Sequence, residues 1–276
     1  MSRKRQSKWE RAVRAAGPKG SLPVDKPDWI GRALPRAGVL PPDEAERAIA
    51  AGRVRLAGRV VREPLTLLRP GDEVRLDGRA VSLAAPTLVL AFHKPRGCVV
   101  TNRDELGRTT VFDLLAAALP PELARYGWHA LGRLDLDTTG LLLFSNDERL
   151  VAHATLPESH LPKRYLARVG GTPSEEKLEP LRRGLPLDDG AARPAKARLR
   201  GEHEVELTLT EGRFHQAKRM LAAVGLPVKA LHREAIGELE LDVPEGQCRL
   251  LTPGEIAGRL KFEATTPAAG RGIVGR

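Results

Sequence analysis

Aromatic residues, cysteines and long apolar runs are all scarce in this chain, and each shortage narrows what the protein can be. Aromatics make up 4% of the 276 residues and hydrophobic residues 41%, so a core must consist mainly of Leu, Val and Ala. The two cysteines, Cys98 and Cys248, lie far apart and outside any CxxC motif. This excludes a disulfide framework and indicates reduced thiols in a cytoplasmic protein.

Features of membrane and metal-binding proteins are missing as well. No stretch approaches the length of a membrane span, and no apolar run follows the basic N-terminus as a signal peptide would require. The seven histidines show no ligand spacing, so we expect no metal. We therefore expect a cytoplasmic protein without a membrane partner.

Positive charge is what the chain has in excess. The formal net charge is +10, which favours polyanionic partners such as nucleic acid. Residues 1–20 supply six of these ten charges, because they hold seven basic side chains and one acidic side chain. That tail is typical of a solvated, disordered arm that binds phosphates loosely. The remaining chain is only mildly basic, so a binding groove there depends on where its charges lie.

Hydrophobic patterning predicts four parts in the chain. Residues 1–28 and 263–276 show no periodicity and are predicted to be disordered tails. Two folded domains are predicted between them, at residues 29–84 and 87–262, with a linker at Ala84-Ala85-Pro86.

The first predicted domain has the order helix, helix, then short strands. Apolar residues recur at helical spacing from Ile30 to Ala37, and Asp43 is the expected N-cap of a second helix that ends near Gly52. Alternating residues then flank two turns of the hairpin type, Ala57-Gly58 and Asp77-Gly78.

The second predicted domain mixes strands and helices without regular alternation, which predicts an α+β fold and not a doubly wound sheet. The predicted strands are 88–92, 141–144, 164–169 and 204–209. The predicted helices are 110–118, one from 148, 174–183, 214–224 and 255–260.

A loop with two aspartates is the strongest candidate for a site. GRLDLDTTG, residues 132–140, leads directly into a buried strand, and loops held between rigid elements often carry function. Asp135 and Asp137 would share one face of an extended segment, and paired acids are what a glycoside hydrolase requires. A tight turn with solvated aspartates explains the same pattern equally well.

The wider sequence resembles one enzyme family. GRLDLDTTGLLLFSND resembles the catalytic motif of pseudouridine synthases of the RsuA/RluA superfamily, and in particular of its RsuA branch. The same order of motifs continues with HKPRGCVVTNRD, TTVFDLL, LPKRYLARV, EGRFHQAKRMLAAVG, LHREAIGELELD and GQCRLLTPGEI. The segment from Trp29 to about Leu83 resembles an S4-type RNA-binding domain. The resemblance implies an S4-like module followed by a catalytic domain with a mixed, largely antiparallel sheet.

The family's reaction implies a role for Asp135. Uridine becomes pseudouridine when the bond from N1 to C1′ breaks, the uracil turns, and C5 joins C1′. The product is an isomer, so no cofactor is expected, but a nucleophile is needed to hold one fragment. The resemblance assigns the nucleophile to Asp135. Asp137, Thr138 and Thr139 are expected to fix the loop, with Asp137 accepting backbone hydrogen bonds.

Two further catalytic positions follow from the resemblance. A nucleophilic carboxylate in a pocket needs a cation beside it, and the family motif places this cation at Lys218, with Arg219 as the second choice. Relatives often have arginine there, so a lysine is a departure. Tyr165 is expected to stack on the target uracil and to lie near the C5 proton. The alternative for Lys218 and Arg219 is an ordinary basic helix surface that faces phosphates. The alternative for Tyr165 is an aromatic side chain of the core.

Other basic residues are expected to contact RNA, because a target base must be extruded from folded RNA to reach Asp135. Those of the catalytic domain are Lys94, Arg96, Arg133, Arg213, His232 and Arg233. Those of the S4-like domain are Arg32, Arg36, Arg47, Arg53 and Arg55, which suit recognition of RNA shape and backbone.

The sequence thus predicts a monomeric enzyme that isomerises one uridine in ribosomal RNA or in a subunit assembly intermediate. The LDTTG loop, and EGRFHQAKRM followed by AAVG and LHREAIG, favour a small-subunit (16S) target. The alternatives are a large-subunit (23S) enzyme of the same family and a non-catalytic RNA-binding or ribosome-assembly protein.

Overall fold

The structure, a computed structural model, describes residues 27–155 and 160–262. The tails predicted at 1–28 and 263–276 therefore lie outside the described residues, apart from residues 27 and 28. The described chain forms two compact units. The first contains residues up to 88 together with 120–128, and the second contains 89–119 and 129–262. Each is described by itself below, with elements numbered in chain order.

The first unit holds three helices and six short strands in its described residues. The helices are α1 (Ile30–Arg36), α2 (Pro42–Ala50) and α4 (Pro121–Ala124). The strands are β1 (Asp28–Trp29), β2 (Val54–Leu56), β3 (Arg59–Val61), β4 (Leu67–Leu68), β5 (Val74–Leu76) and β6 (Arg79–Val81). Strand order in the four-stranded antiparallel sheet is β3-β2-β5-β6, while β1 pairs with β4.

Both predicted hairpins are present in this unit. Ala57 and Gly58 have φ values of 47° and 80°, and Asp77 and Gly78 have 50° and 80°. Positive φ at both central residues is the geometry of a type I′ turn, whose twist matches that of the flanking strands. These turns therefore follow from local sequence.

The N-cap predicted at Asp43 is wrong. Helix α2 begins at Pro42 with Pro41 as its N-cap, and Asp43 lies in the first turn. A proline's fixed φ and missing N–H suit the first helical position, so Pro42 and not Glu44 starts the helix. Asp43 and Glu44 still stabilise the first turn, because negative charge is favourable at a helix N-terminus.

The second unit is built on a large mixed sheet. Its helices are α3 (Val111–Ala118), α5 (Glu148–Thr155), α6 (Glu175–Arg183), α7 (Gln216–Ala223) and α8 (Pro253–Leu260). Its strands are β7 (Val89–Lys94), β8 (His129–Ala130), β9 (Thr138–Ser145), β10 (Lys163–Val169), β11 (Pro186–Leu187), β12 (Gly190–Ala191), β13 (Lys196–Gly201), β14 (Glu204–Leu209), β15 (Val228–Ile236), β16 (Leu239–Glu240) and β17 (Cys248–Leu250).

Strand order in this sheet is β13-β14-β10-β15-β9-β7-β17, with β8 on β9 and β16 on β15. Among the named strands of the described residues, β9 and β15 form the parallel pair, and the others pair antiparallel. The predicted α+β fold with a mixed, largely antiparallel sheet is confirmed.

The sequence pattern missed several strand segments, among them the two-residue strands β11 and β12. Strand β13 has mostly exposed, charged residues at the sheet edge, so it lacks a clear apolar face. The start of β15 and the short β17 were also missed, since neither shows an alternation longer than a few residues. Burial in these segments is set by neighbouring strands and not by local pattern.

Two apolar clusters cover the sheet of the second unit. One joins α6 and α7 to β10 and β14 through residues such as Leu178, Leu221 and Leu207. The other joins α5 and α8 to β9 through Leu150, Leu141 and others. These clusters hold the strands that position the site. In the described residues no helix has the length and apolarity needed to cross a membrane.

Candidate active site

The site lies where β10, β15 and β9 are neighbours in the sheet. Tyr165 of β10 is the register partner of Arg233 of β15, and Arg233 is in turn the partner of Gly140 of β9. The Asp135 loop precedes β9 directly. This arrangement forms a pocket of about 1060 Å³. Two groups of residues line it. The α7 side has Asp135, His215 and Lys218, and the β10–β15 side has Lys163, Tyr165 and Arg233.

Asp135 is held between two nitrogen atoms on the α7 side. Its Oδ2 lies 3.0 Å from Lys218 Nζ, and its Oδ1 lies 3.3 Å from His215 Nε2. The backbone N–H of Thr138 donates to the Asp135 carbonyl at 3.1 Å, which closes the loop as a turn. The carboxylate is 26% exposed, so it is accessible from the pocket while a cation neutralises it.

Lys218 also binds Asp137, at 2.5 Å from Nζ to Oδ1. This hydrogen bond lowers the pKa of Asp137. Burial opposes the charged form of Lys218, but hydrogen bonds to both aspartates outweigh it and raise the pKa of Lys218. One ammonium therefore forms ion pairs with both acids of the loop. The contact with Lys218 is the main interaction of the Asp137 side chain, and a hydrogen bond from the Asp137 backbone also lowers the pKa of this carboxyl group.

Arg219 forms an ion pair with a different carboxylate. Its guanidinium donates to both carboxylate oxygens of Asp189, at 2.9 and 3.0 Å. Such a bidentate pair fixes the side chain. The geometry therefore places Lys218, and not Arg219, beside Asp135.

The β10–β15 side has a buried arginine behind the tyrosine. Arg233 is 3% exposed, and its Nε donates to the Leu141 carbonyl at 2.7 Å. Its Nη1 lies 3.4 Å from the Tyr165 hydroxyl oxygen, and its guanidinium carbon lies 5.9 Å from the Tyr165 ring centroid. In the described residues Arg233 Nη2 is buried without a hydrogen-bond partner. Arg233 thus fixes the tyrosine from behind.

Lys163 lines the same side two residues before Tyr165. Burial, followed by repulsion from Arg233, lowers its pKa to about 8. Within 27–155 and 160–262, no carboxylate forms an ion pair with the Lys163 ammonium. This side of the pocket therefore carries cationic groups that no carboxylate of the described chain neutralises.

Glycine at position 140 lets these strands approach. Its φ is +113°, and a Cβ atom there would overlap the backbone nitrogen and carbonyl of Arg233. A side chain would therefore separate β9 from β15 at the site itself.

The RNA contact predicted for Lys94 is wrong. Its side chain is completely buried, and Nζ donates to the carbonyls of Pro95 and Thr138, at 3.0 and 2.9 Å. Burial lowers the pKa of this ammonium. Lys94 fixes the end of the Asp135 loop from below, which no phosphate can reach.

Three more of the residues predicted to contact RNA form hydrogen bonds or ion pairs within the protein. Arg233 is buried as described, and Arg213 donates to the carbonyls of Gly190 and Ala191. Arg36 is mostly buried and binds Asp28. The contacts predicted for Arg233 and Arg36 therefore do not fit this structure. Arg213 is 25% exposed and lines the pocket, so the contact predicted for it stays a prediction.

The remaining predicted contacts have different surroundings. His232 is half-buried, and its Nδ1 lies 2.7 Å from the Thr139 hydroxyl; burial, then His93, lowers its pKa. Arg53 binds Asp77 on the surface, and Arg55 donates to the Gly58 carbonyl. The other four are wholly or partly exposed: Arg32, Arg47, Arg96 and Arg133.

Sequence reasoning missed His215 and Lys163. A signal existed for Lys163, since it directly precedes the predicted strand 164–169 and lies two residues before Tyr165, on the same face of an extended segment. His215 lies inside the quoted helix motif, but its contact with Asp135 depends on a left-handed backbone, φ 48°, which sequence does not reveal. Thr138 adds a buried hydroxyl without a partner among the described residues.

Comparison with known proteins agrees with this geometry. Residues 88–223 match the family model of RNA pseudouridylate synthases. "Ribosomal large subunit pseudouridine synthase B" of Bacillus subtilis is 34% identical over 82% of this chain and 93% of that protein. "Ribosomal small subunit pseudouridine synthase A" of Yersinia pestis is 36% identical over 76% of this chain and 89% of that protein. A crystal structure titled as a pseudouridylate synthase is 31% identical, with a TM-score of 0.59, over 84% of this chain and 99% of that one.

Fold and pocket together define an enzyme of the uridine-isomerising class. The chain belongs to the RNA pseudouridylate synthase family. The superfamily predicted from the motifs is thereby confirmed. The similar proteins are named for the large subunit in one case and for the small subunit in the other, so they do not distinguish the predicted branch.

Proposed function

We propose that this pseudouridine synthase isomerises one uridine in structured ribosomal RNA, with Asp135 as its nucleophile. The observation that carries the proposal is the Asp135 carboxylate, 3.0 Å from Lys218 Nζ and open to a pocket that Tyr165 also lines. The relatives named for ribosomal RNA support the substrate class.

Each group on the α7 side has a place in the reaction. The Asp135 carboxylate attacks either C1′ of the ribose or C6 of the uracil, and the bond from N1 to C1′ breaks. The Lys218 ammonium lies beside the carboxylate and orients it for the attack. After the uracil turns, C5 joins C1′, the carboxylate leaves, and the C5 proton is lost as N1 regains one. Atoms and electrons balance without a cofactor.

Tyr165 holds the base during this sequence. Its ring stacks on the target uracil, and its hydroxyl lies near the C5 proton. Arg233, 3.4 Å behind that hydroxyl, keeps the ring in place. A stacked base that can still turn in its plane is what the isomerisation requires.

RNA reaches the site by base extrusion, at a cost of a few kcal/mol. We propose residues 29–84 as an S4-like RNA-binding domain and 87–262 as the catalytic domain. The accessible residues Arg32, Arg47, Arg96 and Arg133, with Arg53 and Arg55, contact the RNA backbone. The enzyme acts as a monomer in the cytoplasm on ribosomal RNA or on an assembly intermediate.

Small-subunit RNA is the first candidate target, from the LDTTG, AAVG and LHREAIG segments. Large-subunit RNA is the second candidate, favoured by the relative from Bacillus subtilis and by its namesake in Escherichia coli K12, 36% identical to this chain. Both candidates predict the same chemistry and differ only in the RNA.

Mapping pseudouridines in both ribosomal RNAs of cells with and without this protein tests the proposal. We expect one site to disappear, to return with the wild-type gene, and to stay absent with Asp135→Asn. Asp188→Asn, an aspartate that does not line the pocket, is the control that restores the site. The RNA that loses the site identifies the subunit.

Two outcomes favour rival functions. If the wild-type protein binds ribosomal RNA but no site depends on it, it is a non-catalytic RNA-binding protein. If reacted RNA releases free uracil, Asp135 and Asp137 serve a glycoside hydrolase instead.

A further inference from the structure

Exposed apolar side chains line the pocket beside its charged groups. Within the described part of the second unit, the exposed large hydrophobic residues are Leu106, Leu136, Leu199 and Phe214. Three of these four line the pocket, and Leu199 does not. Phe214 is 76% exposed. Apolar side chains that cluster at the mouth of a pocket indicate a binding surface.

Phe214 is joined to the catalytic carboxylate through one neighbour. Its ring stacks on the His215 imidazole, with centroids 3.8 Å apart and planes inclined by 20°. His215 Nε2 lies 3.3 Å from Asp135 Oδ1. One face of the Phe214 ring is therefore covered, and the high exposure of the side chain leaves the other face open.

The exposed ring stands on a braced loop. Arg219 Nε donates to the Phe214 carbonyl at 2.9 Å, and the Arg213 N–H donates to the Gln216 side chain at 3.1 Å. Gln216 in turn donates to buried Glu211. His215 has a left-handed backbone, φ 48°, which costs about 1–3 kcal/mol. A phenyl ring held exposed by such a loop packs on one face only, against His215, and its open face points to a ligand.

A nucleobase is the ligand whose chemistry fits. RNA opened for base extrusion presents unpaired bases beside the target, and proteins bind such bases by stacking them on aromatic rings. The accessible Arg96 and Arg133 supply the positive charge that a strand backbone needs.

We propose that Phe214 is the stacking site for an unpaired nucleobase next to the target uridine. The bound base, Phe214 and His215 form one stack that ends at Asp135, so binding of the flanking nucleotide also fixes the nucleophile. The site is distinct from Tyr165, which holds the target uracil. This inference rests on the proposed function, because it requires an RNA substrate.

The test uses a synthetic RNA stem-loop that carries the mapped uridine, with an abasic nucleotide placed in turn at each of two positions on either side. Conversion by the full-length enzyme gives kcat/KM. Phe214→Leu, which keeps the apolar bulk but removes the aromatic face, should lower kcat/KM by roughly 5- to 150-fold. Phe214→Trp should keep it, and Leu199→Ala is the matched exposed control outside the pocket.

Non-additivity is the decisive readout. One abasic position should slow the wild type by a similar factor and leave Phe214→Leu unchanged, since both changes remove the same contact. Intact RNA, but not that abasic RNA, should quench the fluorescence of the indole introduced by Phe214→Trp, which reports the stack directly. Because the fluorescence measurement uses only Phe214→Trp, it tests the stacking site even if Phe214→Leu fails to fold.

The outcomes separate the two proposals. If the wild type converts the RNA and Phe214→Leu does so equally well, or every abasic effect adds to that of the variant, the stacking site is refuted. If the wild type converts no ribosomal uridine, the proposed function itself fails.

Discussion

The two sides of the pocket differ most clearly in their lysines. On the α7 side, Lys218 lies between two aspartates, and their hydrogen bonds outweigh burial and raise its pKa. On the β10–β15 side, burial and Arg233 lower the pKa of Lys163 to about 8. The same side chain therefore has opposite electrostatic surroundings within a single pocket.

This difference separates two tasks. On the α7 side, Lys218 is paired with carboxylates of the protein itself, so the proposed nucleophile has its cation beside it without substrate. The β10–β15 side is left cationic, and an electron-rich ligand such as a uracil carbonyl or a phosphate would complete it. Folding pairs the ammonium of the first side with carboxylates, whereas under the proposed function an RNA group would face the Lys163 ammonium of the second.

Replacing the nucleophile should have the largest effect. Asp135→Asn keeps the size of the side chain but removes the attacking carboxylate, so single-turnover conversion of the mapped RNA should fall by at least about 10⁴-fold. Asp137→Asn, which leaves Asp135 paired with Lys218, should cost about 10-fold. Equal losses from the two changes would contradict the distinction between the aspartates.

Gly140→Ala should disrupt the contact between β9 and β15 at the site. The added Cβ overlaps the Arg233 backbone, so we expect a loss of about 3–5 kcal/mol in the free energy of unfolding. Gly78→Ala has a positive φ but open space around it and should cost about 1 kcal/mol. Urea denaturation measures both; similar values for the two variants would show that backbone strain, and not strand contact, decides.

Removing the cation of the α7 side should have an intermediate effect. Lys218→Gln leaves the two aspartates without their shared ammonium, and kcat should fall about 100-fold. Lys218→Arg restores the charge and should recover activity to within about 10-fold. Arg219→Gln removes the partner of Asp189 and the donor to the Phe214 carbonyl, but no contact with Asp135, and a loss as large as that of Lys218→Gln would reassign the cation.

Removing the cation of the β10–β15 side should have a small effect that depends on pH. The folded pKa of Lys163, about 8, lies below the unfolded value of about 10.4. The unfolded state therefore binds more protons between these values, and wild-type stability rises with pH across this window. Lys163→Met should be more stable than wild type at pH 7, by about 1–2 kcal/mol after allowance for solvent screening.

The gap between Lys163→Met and wild type should narrow from about pH 8 and close above about pH 10. Urea denaturation across this pH range measures it, and the exposed Lys229→Met is the control. A gap that stays constant with pH would mean that packing, and not charge, accounts for the difference.

Much of the fold was predictable because local rules agreed with it. The two type I′ turns, Ala57-Gly58 and Asp77-Gly78, and the helix that Ser174 caps follow from turn and capping chemistry. Strand β13 and the start of β15 were not predictable, since their burial depends on strands distant in sequence. The motifs predicted Asp135, Tyr165 and Lys218 as the site, and the structure brings these three to one pocket, while their catalytic roles remain predictions.

The sequence by itself determined the family, the hairpins and the residue types of the loop, because these depend on order along the chain. Only the tertiary structure decided that Lys218 and not Arg219 faces Asp135, that Lys94 is buried beneath the loop, and that His215 joins Phe214 to the carboxylate. Ion pairing and desolvation depend on which side chains are close in space. The parallel pairing of β9 with β15 brings together segments that are distant in sequence.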